Sequence, residues 1–126
     1  MTSLVGHLIN GKIVTDADKT QDVFNPSSGE VSKQVALANR ATVNEAIAAA
    51  EKAFVSWRNT PAMKRARVMF KFKDLLEQHS TKICDLIGQE HGKIAHDAAG
   101  ELQRGIENVE YACCAPELLK GCLLYT

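Results

Sequence analysis

The spacing of apolar residues from position 42 onward constrains this chain more than any other feature of its sequence. Near the C-terminus they recur every three or four positions, at Ala98, Leu102, Ile106, Val109 and Cys113. Side chains at this spacing lie on one face of an α-helix, which packs against protein while the opposite face meets solvent. Similar spacing recurs upstream, and we predict four helices, near residues 42–58, 61–78, 80–91 and 95–115.

Capping signals set the predicted ends of these helices. Thr42-Val43-Asn44-Glu45 matches a capping box, in which the Thr hydroxyl and the Glu carboxylate bind amides of the first turn. Thr60-Pro61 offers a capping hydroxyl followed by proline at the first helical position. Ser80 or Thr81 is suited to cap the third helix, and Gly92 is suited to follow its last turn in a left-handed conformation.

The second predicted helix separates apolar from basic side chains. We predict an apolar face formed by Val68, Phe72, Leu75 and Leu76, with Lys64, Arg65, Arg67, Lys71 and Lys73 on the other side. A basic helix face can bind anions, but a solvated surface accounts for the same pattern and is the more common case.

Short alternating runs and turn residues dominate the first forty positions. Asn10-Gly11 between two apolar runs is a strong hairpin signal, because a type I′ turn needs positive φ at both central residues. Residues 16–20 are polar and are predicted to form a loop, and residues 22–24 to be extended. After the turn at Asn25–Gly29, residues 30–37 read as a further strand. We therefore expect an antiparallel β ribbon over residues 7–37, and an α+β fold class for the whole.

Composition excludes several functional classes. The 126 residues allow one domain or part of one, and 15 Lys and Arg balance 15 Asp and Glu. The sequence has no basic run interleaved with aromatic residues, so we expect no nucleic-acid binding. It has no apolar run near the ~20 residues of a membrane span, and the first twelve residues do not resemble a secretory signal. Cytoplasm is the expected location, without contact to a membrane.

Cysteine and histidine residues do not form a recognisable catalytic or metal-binding pattern. Cys113 and Cys114 are adjacent, and with Cys84 and Cys122 they fit neither a zinc site nor a disulfide framework. His91 and His96 are separated by Gly92 and do not match a metalloprotease motif. We predict ordinary thiols in a reducing compartment, with no metal ligands and no catalytic residue in this sequence.

Arg104 lies opposite the apolar stripe of the fourth predicted helix. Glu101 and Asn108 stand at helical neighbour spacing from it, and such a surface pair contributes only a few tenths of a kcal/mol. From the residues alone, a surface arginine paired with Glu101 or Asn108 is the simplest interpretation.

Three segments in this order resemble one enzyme family. They are Asn25-Pro26-Ser27-Ser28-Gly29-Glu30-Val31, Glu90-His91-Gly92-Lys93 and the stretch 100–112 that contains Arg104-Gly105-Ile106-Glu107-Asn108. Together they resemble the N-terminal part of the CoA-acylating methylmalonate-semialdehyde (malonate-semialdehyde) dehydrogenases, a branch of the aldehyde dehydrogenase superfamily. The likeness extends over residues 8–121, and residues 122–126 resemble an unrelated tail. We therefore expect residues 1–121 to be an incomplete N-terminal segment of an aldehyde dehydrogenase-like α/β fold.

The resemblance implies a function for the intact enzyme and a role for Arg104. In this branch an arginine in the Arg104 context recognises the substrate carboxylate, and a semialdehyde reacts with CoA and NAD to give acyl-CoA, carbon dioxide and NADH. The nucleophilic cysteine, its general base, the oxyanion-hole amide donor and the nicotinamide-binding residues of such enzymes lie downstream. The 126-residue chain alone is therefore expected to be inactive and to bind neither NAD nor CoA. The resemblance does not separate methylmalonate from malonate semialdehyde as substrate.

The resemblance also implies an oligomeric state, and one alternative function remains open. Intact members of this branch are expected to be homo-oligomers, with four subunits, whereas this chain is expected to self-associate through exposed apolar faces. The alternative to an enzyme segment is a non-enzymatic helical interaction module, or the relic of a truncated gene.

Overall fold

The computed structural model describes residues 3–121 and divides the chain into two compact units, Met1–Asn59 and Thr60–Thr126. The predicted tail at residues 122–126 lies outside the described residues. The first unit holds β1 (Ser3–Val5), β2 (His7–Ile9), β3 (Lys12–Val14), β4 (Lys19–Phe24), β5 (Val31–Leu37) and α1 (Arg40–Trp57). The second holds α2 (Ala62–Gln78), α3 (Ser80–His91), α4 (Ala95–Cys113) and the short α5 (Ala115–Leu118).

The predicted hairpin is present. β2 and β3 pair antiparallel, and Leu8 lies opposite Ile13. Asn10 and Gly11 connect them with φ values of 49° and 74°. These are the two positive φ angles that a tight type I′ connection requires, so local turn chemistry alone was sufficient to predict the hairpin.

The other three strands form a mixed sheet in the order β1-β5-β4, which corrects the prediction of a purely antiparallel ribbon. β5 pairs antiparallel with β4 but parallel with β1, a strand that was not predicted. Lys19 and Thr20, predicted to lie in a loop, belong to β4 and pair with Leu37 and Ala36. Strand pairing with β5 therefore overrides the polar local sequence.

α1 begins two residues before its predicted start, and the predicted capping box at Thr42 is wrong. Asn39 holds the N-cap position, and its Oδ1 accepts a hydrogen bond of 2.9 Å from the Thr42 backbone N–H. The Thr42 hydroxyl also donates to this oxygen, at 3.0 Å. Thr42 thus lies inside the first turn, where its side chain is 8% exposed.

The three helices predicted for the second unit are present with small differences at their ends, and the short α5 was not predicted. α2 begins at Ala62, because Pro61 takes the N-cap position instead of the first helical position. His79, rather than Ser80 or Thr81, precedes α3, and Gly92 ends that helix in the left-handed region with φ of 78°. The predicted fourth helix ends at Cys113, and Pro116 lies in the first turn of α5. Within the described residues, the stretch from Val43 to Val109 contains no strand.

The predicted inner face of α2 is wrong. The shielded positions recur at helical spacing at Ala62, Arg65, Ala66, Met69, Lys73 and Leu76. Val68, Phe72 and Leu75 are 54%, 46% and 40% exposed, although they were predicted to form the packing face together with Leu76. Small Ala66 and the aliphatic stems of Arg65 and Lys73 pack inward instead, so side-chain size and polarity alone do not identify the inner face of this helix.

The core of the second unit lies along α4, as the apolar stripe predicted. Ala98 is fully buried, and Ile106 and Cys113 are 5% and 6% exposed. Leu102 and Val109 are half-buried on the same side. α4 therefore faces α2 and α3 with its apolar side and leaves its opposite side to solvent.

Candidate carboxylate-binding site

A sharp chain reversal places Lys93 beside the start of α4. The Gly92 N–H donates to the Gly88 carbonyl oxygen at 2.9 Å, and its left-handed φ turns the chain out of α3. A Cβ atom on Gly88 would lie 3.3 Å from the Lys93 carbonyl oxygen, so the glycine permits this close return. Ile94 then forms the N-cap of α4 without a side-chain cap.

An open surface cavity of about 300 Å³ lies at this reversal. It is lined by Lys93, His96, Asp97, Gly100 and Arg104. The lining combines two basic side chains with the Asp97 carboxylate, and Lys93 is paired with Glu101. Arg104 is therefore the basic side chain of this cavity that is open to a small anion.

Arg104 projects over Gly100. An ideal Cβ atom on Gly100 would lie 4.0 Å from Nη1 of Arg104, so the missing side chain leaves the guanidinium room to lie along the helix. The Arg104 carbonyl oxygen accepts a hydrogen bond of 2.7 Å from Nδ2 of Asn108. Across residues 3–121 the Arg104 guanidinium forms no ion pair, which leaves its planar N–H donors open to a ligand.

Glu101, one of the two partners that the sequence suggested for the Arg104 side chain, does not pair with it. Its carboxylate instead accepts a hydrogen bond from Nζ of Lys93 and forms an ion pair with it. The Lys93 ammonium, with weaker contributions from His91 and Arg104, holds the pKa of the Glu101 carboxyl below its usual range. The sequence identifies Lys93 only as part of a segment that resembles the family, and its partnership with Glu101 becomes visible once the chain reversal is known.

The described thiols lie away from the Arg104 cavity. Cys84 lines a second cavity of about 400 Å³ between α3 and α4, together with Ala99 and Leu102. Cys113 is buried and Cys114 is exposed, and all three are free thiols. The part of the chain that the structure describes contains no group of three His, Cys, Asp or Glu residues that could hold a metal ion. No helix within residues 3–121 is long and apolar enough to cross a membrane.

Comparison with known proteins assigns the chain to a family. The family model described as "Aldehyde dehydrogenase family" matches residues 13–124. This chain belongs to the aldehyde dehydrogenase family. The family resemblance predicted from the three sequence segments is thereby confirmed.

Individual relatives narrow the resemblance to one branch. The malonate-semialdehyde dehydrogenase of Pseudomonas aeruginosa is 60% identical over 115 residues, which are 91% of this chain and 23% of that protein. A crystal structure of methylmalonate-semialdehyde dehydrogenase from Oceanimonas doudoroffii is 68% identical with a TM-score of 0.93, and the match covers 97% of this chain and 25% of that one. A related protein from Sinorhizobium meliloti, complexed with NAD, is 37% identical with a TM-score of 0.91 over 95% of this chain and 25% of its own.

The chain spans about a quarter of the length of the relatives it matches. The fold of residues 3–121 therefore corresponds to one part of an aldehyde dehydrogenase. The branch, the α+β arrangement and the fragment-like coverage all agree with the expectations from sequence.

Proposed function

We propose that residues 1–121 form the N-terminal segment of an NAD-dependent, CoA-acylating methylmalonate- or malonate-semialdehyde dehydrogenase, in which Arg104 binds the carboxylate of the substrate. We place the intact enzyme in the cytoplasm as a homo-oligomer of four subunits. The proposal rests on the likeness to dehydrogenases named for these semialdehydes and on the geometry around Arg104.

The observation that carries the proposal is the guanidinium of Arg104, which has no ion pair within residues 3–121 and lines a small surface cavity. A substrate of this branch carries a carboxylate beside its aldehyde. A planar guanidinium binds a carboxylate through two parallel N–H···O hydrogen bonds, which fix orientation as well as position. Arg104 would therefore select for the carboxylated substrate and orient its aldehyde.

The overall reaction is semialdehyde plus CoA plus NAD, giving acyl-CoA, carbon dioxide and NADH. NAD, when bound, supplies the hydride acceptor. A cavity of about 300 Å³ lies at the small end of ligand pockets and suits a short carboxylate rather than a dinucleotide or CoA. We therefore assign the Arg104 cavity only the binding of the substrate carboxylate.

Selectivity between two aldehydes tests this role. In a dehydrogenase whose matching N-terminal segment is replaced by residues 3–121 of this chain, Arg104→Ala should lower kcat/KM for malonate semialdehyde by about ten- to a few hundred-fold. This range follows from charge-assisted hydrogen bonds of roughly 1.5–3 kcal/mol and about 1.4 kcal/mol per factor of ten. Propanal has no carboxylate, and its kcat/KM should stay within about twofold. Equal losses on both aldehydes would make Arg104 a structural residue.

The 126-residue chain itself serves as the blank for that assay. The free thiols at Cys84, Cys113 and Cys114 lie away from the Arg104 cavity, so none is positioned to attack a bound aldehyde there. Incubation with NAD, CoA and malonate semialdehyde should give no NADH absorbance above buffer. A rate that rises in proportion to the chain would contradict the proposal that this segment supplies only substrate binding.

A further inference from the structure

Lys93 and Arg104 both lie within reach of Glu101, and only Lys93 is bonded to it. We propose that Lys93 is a positioning residue that holds the Glu101 carboxylate and so keeps the Arg104 guanidinium available to an incoming carboxylate. This inference rests on the proposed function, because it explains how the substrate-binding arginine escapes a competitor built into its own helix.

Helix geometry makes Glu101 the natural competitor. Residues three apart are neighbours on a helix surface, so the Glu101 and Arg104 side chains would attract each other if neither had another partner. An arginine already paired with an internal carboxylate must give up that pair before it can bind a substrate carboxylate. The positive charge of Arg104 helps to lower the pKa of the Glu101 carboxyl. Its effect on that pKa is smaller than the effect of the hydrogen bond from Lys93.

The fold supplies Lys93 by a route that helical spacing does not offer. Gly92 ends α3 with a left-handed turn, and the chain then enters α4 at Ala95. Lys93 therefore stands outside α4 and reaches along its first turns to Glu101. Its side chain is 28% exposed and that of Glu101 is 43% exposed, so the pair is partly shielded from water. Partial shielding strengthens an ion pair relative to a fully solvated one.

Other charged groups lie near the Lys93–Glu101 pair and are present in the wild-type chain and in all the variants. His91 contributes to the field at Glu101, and His96 and Asp97 line the cavity beside Arg104. None of the variants alters these three residues, so their effects form a common background.

The first experiment follows Glu101 in the full 126-residue chain by NMR, through the chemical shift of its ¹³C-labelled carboxyl as pH is varied. In Lys93→Met the Glu101 pKa should remain below normal, because Arg104 takes over the carboxylate. In Lys93→Met/Arg104→Ala the pKa should rise above that of Lys93→Met, with only the His91 contribution remaining. If Lys93→Met alone brings the pKa to the value of the double variant, Arg104 does not capture Glu101 and the proposal fails. Circular dichroism on each variant checks that the helices are retained.

The second experiment measures the consequence for substrate in the dehydrogenase that carries residues 3–121. Lys93→Met should raise KM for malonate semialdehyde about two- to fivefold, the range of a partly exposed ion pair, while kcat and the kinetics with propanal stay near their starting values. Lys82→Met, which removes an exposed lysine of α3, is the matched control. Adding Glu101→Gln to Lys93→Met should restore KM, because the competing carboxylate is gone.

The double variant separates the possible failures. If Lys93→Met/Glu101→Gln keeps the raised KM, Lys93 acts by touching the substrate itself and the positioning role is wrong. If Arg104→Ala leaves KM for malonate semialdehyde unchanged, the proposed function is wrong, whatever Lys93 does. If Arg104→Ala raises KM but Lys93→Met does not, only the positioning role is lost.

Discussion

Nζ of Lys73 on α2 lies 3.2 Å from Oε1 of Glu110 on α4. The same ammonium is 2.7 Å from Oε1 of Glu77, one turn along its own helix. The Lys73 side chain is 22% exposed, so this inward-facing lysine has its charge compensated by two carboxylates. The contact links the two helices at a position where the sequence predicted a solvated basic face.

This lysine should make stability dependent on alkaline pH. The hydrogen bond from Lys73 to Glu77 raises the Lys73 pKa above its usual 10.5, and the hydrogen bond to Glu110 adds a smaller increase. A group whose pKa is raised on folding stabilises the folded protein at every pH below its pKa in the unfolded state. This stabilisation is lost as the pH rises through the pKa of the same group in the folded state. Lys73→Met should lower the free energy of unfolding at pH 7, and the difference from wild type should shrink above pH 10.5. Urea denaturation across this range measures it.

Lys82→Met is the control for that series. Lys82 is exposed on α3 and forms no ion pair among residues 3–121. It should change stability little at any pH. A loss for Lys73→Met that persists unchanged into strongly alkaline solution would show that the aliphatic stem of Lys73, rather than its charge, stabilises the α2–α4 contact.

The start of α1 provides a second prediction. Asn39→Ala removes the oxygen that accepts both hydrogen bonds from Thr42, and losing such a cap costs about 1 kcal/mol. Thr42→Val keeps the buried volume and the backbone bond, and it should cost less. Thermal unfolding of both variants compares them. A larger loss for Thr42→Val would restore the capping box that the sequence predicted.

Two glycines should respond in opposite directions to alanine. Nothing lies within 4 Å of a Cβ atom added to Gly105, in the middle of α4. Gly105→Ala should therefore stabilise the chain by about 0.5–1 kcal/mol through helix propensity. A Cβ atom on Gly6 would lie 2.6 Å from the Val14 carbonyl oxygen, so Gly6→Ala should destabilise it. The denaturation midpoints of the two variants, compared with wild type, measure these changes in stability. A loss of stability for Gly105→Ala would indicate an unrecognised contact at that position.

The exposed face of α2 should cause self-association. Arg67, Val68, Lys71, Phe72 and Leu75 line an open groove of about 480 Å³ along this helix. Exposed apolar side chains in contact with one another favour association in water. Phe72→Lys should shift the sedimentation coefficient toward the monomer at high chain concentration, without lowering helix content. The interaction-module alternative would instead gain support from a wild-type chain that stays monomeric and unfolds cooperatively.

Local residue preferences predicted some elements of the fold. They failed for elements whose structure depends on pairing with segments far away in the sequence. The Asn10-Gly11 hairpin and the Gly92 helix end follow from backbone preferences of the residues themselves. β1 is three residues long and is a strand only because β5 lies beside it. Asn39 and Thr42 are both suitable caps, and the outcome depends on where the helix begins.

In the candidate site, too, contacts within one helix could be predicted from the sequence and contacts across a chain reversal could not. The exposed side of α4 that carries Arg104 could be predicted from helical spacing, and its role from the family resemblance. The Lys93–Glu101 pair could not, because the rule of three- and four-residue spacing describes contacts within one helix. Lys93 reaches Glu101 across a chain reversal, so a rule confined to one helix assigns Glu101 to Arg104.

Ala98 is fully buried and Ala66 is 4% exposed, and these small side chains lie where the helices of the second unit meet. An alanine has almost no side chain to lose, so trimming at these two points opens little space. Ala98→Val adds two methyl groups at a fully buried position, and overpacking of this kind costs roughly 1–3 kcal/mol. Burial at these two positions therefore limits the size of the side chain, whereas the exposed faces of the same helices carry no such limit.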